Sequence, residues 1–163
     1  MRFVVRERIF DIGDDYWIED ERGERVFLVD GKALRIRDTF ELKDRDDRVV
    51  ATIKAKLLSL RGTMTIERGG ETVATVKKKL FSPLRERLDV EFPDGREWEV
   101  SGDLLHKEYL IEGDGRPVAE ISHKWFRVRD TYGVDVRDAT VDPALVLAVA
   151  VAVDSLTDDE DDD

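Results

Sequence analysis

Ten consecutive apolar residues, Ala144 to Val153 in "DPALVLAVAVAVDSL", leave this chain few ways to fold. The run has no polar face, so it needs something other than water on every side. A membrane is one such surrounding, but a spanning helix takes roughly 17 to 25 apolar residues and this run is too short. A strand is a second reading, because Ala and Val alternate from Ala148 to Val153 and Val favours sheets. A helix is the third. Asp142 is a good N-cap and Pro143 suits the first helical position, while Ala and Leu propagate what those two start. A helix that is apolar all round has to be buried all round, so the remaining chain must supply an enclosing wall.

The rest of the chain reads as hairpins. "YWIEDERGERVFLVDGK" (Tyr16–Lys32) is strand, polar turn, strand, and "FELKDRDDRVVATIKAK" (Phe40–Lys56) repeats the pattern. "MTIERGGETVATVKKK" (Met64–Lys79) turns at Gly69-Gly70, "LDVEFPDGREWEV" (Leu88–Val100) at Pro93-Asp94-Gly95, and "YLIEGDGRPVAEISHK" (Tyr109–Lys124) at Gly113-Asp114-Gly115. Gly, Asp and Pro at these points supply or preset the backbone angles that reverse a chain. Ala74, Val76 and Lys78 share one face of their strand, and Val73, Thr75 and Lys77 the other, as period-two alternation requires. Three connectors, "LRIRDT", "LSLRGT" and "FRVRDT", share apolar, Arg and Thr positions, and each precedes a new strand. With Phe3–Phe10 and Tyr132–Arg137 added, the five hairpins make twelve strands.

Twelve strands close a barrel with a bore wider than the roughly eight-stranded kind that its own side chains fill. A helix is about 10 to 12 Å across with side chains. The fourteen residues Pro143–Leu156 would run about 21 Å, close to the roughly 17 to 20 Å of a typical strand. The expected fold is therefore mainly β: a closed twelve-stranded antiparallel β-barrel with a central hydrophobic C-terminal α-helix. At 163 residues and 41% hydrophobic, the chain has enough material for one such core. The barrel is expected over residues 1–157, and "TDDEDDD" leads from it into an acidic, solvated tail at 158–163. That tail holds six acidic residues of a net charge of −11, leaving −5 for the rest.

The chain resembles the LURP-one-related family. The resemblance runs from "RERIFDIGDDYWIED" through "VATIKAKLLSLRG", "VATVKKKLFS" and "ISHKWFRVRDTYGV" to the Ala/Val segment, with only the acidic tail outside it. It implies the tubby C-terminal-domain fold, a barrel around a hydrophobic helix, and kinship with phospholipid scramblases. It also implies a non-enzymatic binding or scaffold domain. Tubby relatives bind phosphoinositides, which favours an anionic lipid headgroup or another phosphate-bearing ligand; a protein-interaction domain with no small ligand is the alternative.

Chemistry-bearing motifs are sparse. Cysteine is absent, which excludes disulfides, iron–sulfur clusters and thiol catalysis. His106 and His123 stand outside any metal-ligand spacing. GxSxG, P-loop and GxGxxG motifs are missing. Neither an enzyme nor a cofactor is expected, and a hydrolase or transferase would require one histidine to meet a carboxylate in a pocket. Net acidity and the lack of a basic helix argue against nucleic acid. Charges at Arg2, Arg6, Glu7 and Arg8 fall where a signal peptide needs an apolar stretch; a cytoplasmic monomer is expected. The candidate ligand site is a basic cluster: Lys54, Lys56, Lys77, Lys78, Lys79, Arg85 and Arg87. If the hairpins are neighbours, Lys54, Lys56, Lys77 and Lys79 share a face that attracts an anion. Lysines on strand faces also serve solubility alone. Trp17, Trp98, Trp125 and Phe126 are expected to pack rather than to bind.

Overall fold

A computed structural model describes residues 1–6, 15–31, 39–56, 62–79, 86–104, 106–126 and 131–158. Twelve strands follow one another around a closed barrel. They are β1 (Arg2–Arg6), β2 (Tyr16–Glu19), β3 (Arg25–Gly31), β4 (Thr39–Lys43), β5 (Val49–Ala55), β6 (Thr63–Arg68), β7 (Glu71–Lys78), β8 (Glu86–Glu91), β9 (Glu97–Asp103), β10 (Glu108–Gly113), β11 (Arg116–Ser122) and β12 (Thr131–Val136). Each pairs antiparallel with its sequence neighbours, and β12 closes on β1, with Arg2 opposite Asp135 and Arg6 opposite Thr131. The expected strand count and hairpins are present. The segments Glu7–Phe10, 34–38, 58–61 and 127–130, which hold most of the repeated connector motifs, lie outside the described residues.

Tight turns follow from side-chain chemistry. Asp20 Oδ1 accepts the backbone N–H of Arg22 and Glu24, and Asp44 Oδ1 accepts those of Asp46 and Arg48. The residue that must turn left-handed is Gly23 in the first loop and Asp47 in the second, with φ of 77° and 63°. Asp tolerates that region better than most side chains because its short carboxylate bonds locally.

Helix α1 (Pro143–Asp158) fills the bore, extending two residues beyond the expected end at Leu156. Asp142 caps it as its position predicts, accepting the Ala144 N–H at 3.0 Å and an ion pair from Arg68 Nη1 at 2.6 Å. The helix packs against β5, β6 and β7 on one wall and β12 on the opposite wall. Every residue from Val146 to Thr157 is buried. Inward positions of the strands meet it: Ile53, Ile66, Val76, Val100, Ile111 and Val134 are fully buried. The opposite parity, such as Thr52 and Lys54 or Thr75 and Lys77, forms the outer surface. The missing polar face of α1 is thus a consequence of strands on all sides.

Val149 is fully buried on α1, so Val149→Asp places a charge in the apolar bore. The expected loss is on the order of 5 kcal/mol or more, comparable to the whole stability of many domains. Urea unfolding checks it; a soluble variant with an unchanged midpoint would contradict an enclosed helix.

Candidate functional site

Strand alternation gives the barrel two unlike mouths. The connections after β1, β3, β5, β7, β9 and β11 leave one mouth, while the tight turns sit at the other. Since α1 starts beside Arg68 at a turn, its C-terminal end lies at the connector mouth.

The lysines of the basic cluster divide by strand parity and by mouth. Lys54, Lys77 and Lys79 lie on the outer wall, where carboxylates answer them: Lys54 meets Glu67 at 3.1 Å and Lys77 meets Glu91 at 2.9 Å. Lys79 sits 3.3 Å from Asp89 and 3.7 Å from Glu99, which Arg87 also approaches at 3.6 Å. These carboxylates are interleaved by register, because Lys77 faces Asp89, Asp89 faces Glu99 and Glu99 faces Glu112. Farther round, beside the β8–β9 and β10–β11 turns, a depression of about 800 Å³ is lined largely by acidic side chains such as Asp94, Glu97 and Glu112. Solvent-exposed pairs of this kind contribute about 0 to 1 kcal/mol each. Their electrostatic effect is larger, since they make the wall of β7–β10 nearly self-neutral.

The cations at the connector mouth are placed differently. Lys56 is exposed just past β5, and its N–H bonds to the Thr63 carbonyl at 2.8 Å. Lys78 has inward parity, and its N–H bonds to the Gly62 carbonyl at 3.0 Å. A Cβ built on Gly62 would stand 3.1 Å from both Lys78 Cδ and Cε and 3.2 Å from Leu156 Cδ2. The Lys78 stem and the last turn of α1 therefore share the space over Gly62. Lys79 bonds the Arg87 carbonyl at the same rim. Arg85, the remaining member, lies outside the described residues.

The same mouth holds a buried ion pair that residue patterning does not reveal. Asp154, on α1, is 5% exposed. Its carboxylate receives Lys107 Nζ at 2.8 Å and the Tyr132 hydroxyl at 2.6 Å. Lys107 reaches inward from the β9–β10 connection with φ of 56°, a left-handed conformation uncommon for a lysine. A carboxylate near a helix C-terminus opposes the dipole, so Asp154 needs these donors twice over. Its signal in the sequence is the single acid that ends the apolar run; its partners are 47 and 22 residues away.

The segment "SHKWF" wraps over the outer wall. Glu108 accepts the Ser122 hydroxyl and the N–H groups of His123 and Lys124 at 2.9 to 3.2 Å. This turns Trp125 and Phe126 back onto Gly133 of β12, where a Cβ would stand 2.4 Å from Trp125 Cε3. The Arg2 guanidinium lies 4.3 Å from the Trp125 ring centre. Beside them a groove of about 600 Å³ runs over Arg2, Val4, Arg6 and Glu19. Trp98 is buried edge-on to Phe92, and Trp17 is half-buried near Arg25. All four aromatics pack against the protein.

Each histidine meets one carboxylate: His106 Nδ1 is 2.7 Å from Asp103, and His123 Nδ1 is 2.8 Å from Glu108. The His106 hydrogen bond holds the Asp103 carboxyl below its ordinary range. Any stability this confers is present above that range and is lost as pH falls through the lowered value. Among the described residues no group of three or more His, Asp or Glu side chains could hold a metal ion, and no helix is long and apolar enough to cross a membrane.

A closed barrel plugged by its own C-terminal helix defines the structural class. Within that class, the LURP-one-related family model matches residues 1–154, and the chain belongs to that family. The uncharacterized protein YxjI of Bacillus subtilis (strain 168) is 27% identical over 164 residues, covering 99% of this chain and 98% of its own. Protein LURP-one-related 15 of Arabidopsis thaliana is 23% identical, over 96% of this chain and 77% of that protein. An X-ray structure of an Arabidopsis thaliana protein matches 96% of this chain and 91% of its own with a TM-score of 0.69; at 20% identity this is a likeness of fold alone.

Two substitutions test this geometry. Asp154→Asn leaves Lys107 without its counter-charge and is expected to cost about 3 kcal/mol, whereas Asp154→Leu with Lys107→Met should cost less; chemical denaturation of both reads the difference. Gly133→Ala should displace Trp125 at a cost of about 1 to 3 kcal/mol, visible as a shifted indole N–H resonance. An unmoved resonance would refute the packing.

Proposed function

We propose that the protein is a non-enzymatic, cytosolic, monomeric binding domain that takes an anionic, phosphate-bearing ligand at the connector mouth. The observation that carries this reading is the convergence of Lys56, Lys78 and Lys79 on one rim, where β5 and β7 end on either side of β6. Lys54, Lys77 and Arg87 flank that rim in ion pairs, and Arg85 belongs to the connection that leaves it. Opposed lysines around a shallow rim suit a phosphate, which accepts hydrogen bonds from several directions. The likeness to tubby-type domains and phospholipid scramblases supports a lipid headgroup as the source of that phosphate. Residues 1–157 form the binding domain, and the acidic segment 158–163 is an appendage to it.

A second reading has its own observation. The groove of about 600 Å³ beside Trp125 presents an aromatic edge and paired charges on the outer wall, which suits a protein partner and no small ligand.

Co-sedimentation with phosphatidylcholine vesicles, with and without phosphatidylinositol phosphate, separates the two. The Lys56→Glu/Lys79→Glu variant should bind the anionic vesicles at least about tenfold more weakly, since each basic residue near a charged membrane contributes about 1 kcal/mol. Inorganic phosphate as a competitor tells a headgroup site from a general phosphate site. Equal binding by variant and wild type would overturn the rim as the site.

A further inference from the structure

The C-terminal carboxylates and the lysine rim meet at the same mouth. Helix α1 ends at Asp158, two residues after Leu156, whose side chain shares the space over Gly62 with Lys78. The chain thus leaves the barrel beside Lys78, with Lys56 across β6 and Lys79 next in sequence. From Asp158 onward it reads "DDEDDD".

Charge accumulates unfavourably at this point unless cations gather. A helix C-terminus carries about half a negative charge from its dipole, and α1 has no basic residue in its last turn. Asp154 is already committed to Lys107 and Tyr132. The next carboxylates, from Asp158 on, add six negative charges to the same end. The rim lysines are the cations closest to where the chain emerges. Reach is sufficient: five extended residues span about 16 Å, and two strand spacings between β5 and β7 amount to about 10 Å.

We propose that residues 159–163 dock on Lys56, Lys78 and Lys79 and compete there with the phosphate-bearing ligand, so that the protein carries its own displaceable occupant of the site. The competition rests on the binding function proposed above; the docking does not. Contact through charge alone is weakened by salt, because the Debye length shrinks from about 10 Å at 0.1 M to about 3 Å at 1 M. An anionic surface bearing many phosphates outcompetes five carboxylates more readily than a single phosphate does.

Zero-length carbodiimide cross-linking of the full chain, read by mass spectrometry, tests the docking. The expected result is tail carboxylates joined within one molecule to Lys56, Lys78 or Lys79 in low salt, falling at least about tenfold near 1 M salt. Tail links to none of these three, or only between molecules, would overturn it. Vesicle sedimentation tests the competition. Asp159, Asp161, Asp162 and Asp163→Asn with Glu160→Gln should bind phosphatidylinositol-phosphate vesicles about tenfold more tightly than wild type. The control neutralises five exposed carboxylates at or near the turn mouth, Glu21, Asp46, Asp47, Glu71 and Asp114, and should gain clearly less. Equal gains would overturn the competition. Cross-links without vesicle binding by any of the three chains would overturn the phosphate function and leave the docking standing.

Discussion

A helix without a polar side is held in water only by a wall on every side, and here the wall and the helix define each other. Twelve strands leave a bore too wide for their inward side chains to close, so without α1 the inner faces at Ile53, Ile66, Ile111 and Val134 would line a void. Without the barrel, Val146 to Val153 would have no soluble state. Neither part is a stable unit by itself. The chain order suits this dependence: the hairpins build the wall from neighbours in sequence, and β12 leads at once into the helix that fills it.

The dependence also shapes the two ends. At the turn mouth the helix begins conventionally, with Asp142 capping its N–H groups and Arg68 holding the cap. At the connector mouth the helix delivers its negative end, Asp154 and then an acidic run, into a space enclosed by protein. Cations are drawn there because nothing else neutralises that charge. Lys107 accepts a left-handed backbone to reach Asp154, and Lys78 sits inward beside Leu156. A structural requirement of the core thus places basic side chains at the end where the connectors converge, and the proposed function uses what the core already demands.

The architecture was legible because its signals are local. Hairpins announce themselves through Asp-Gly and Gly-Gly turns and alternating apolar positions, and the helix through Asp142-Pro143 and an apolar run of unmistakable length. The basic cluster was legible as composition but not as electrostatics. Strand parity places Lys54, Lys77 and Lys79 outward, yet only the register across β7, β8 and β9 shows that Asp89, Glu91 and Glu99 lie among them. Asp154 with Lys107 and Tyr132 was illegible for the same reason: three residues far apart in the chain carry no mutual signal until the barrel closes. Gly133, likewise, gives no hint in sequence that an indole lies across it.

The central claim is that α1 is the core of the barrel and cannot leave it while the wall stands. Native-state hydrogen exchange tests this directly, by comparing the amides of Leu147 to Val153 with those of β6 and β7. If the claim holds, both groups exchange only through global unfolding and respond identically to added denaturant. Helix amides that exchange through a separate, cheaper opening while the strands remain protected would contradict it.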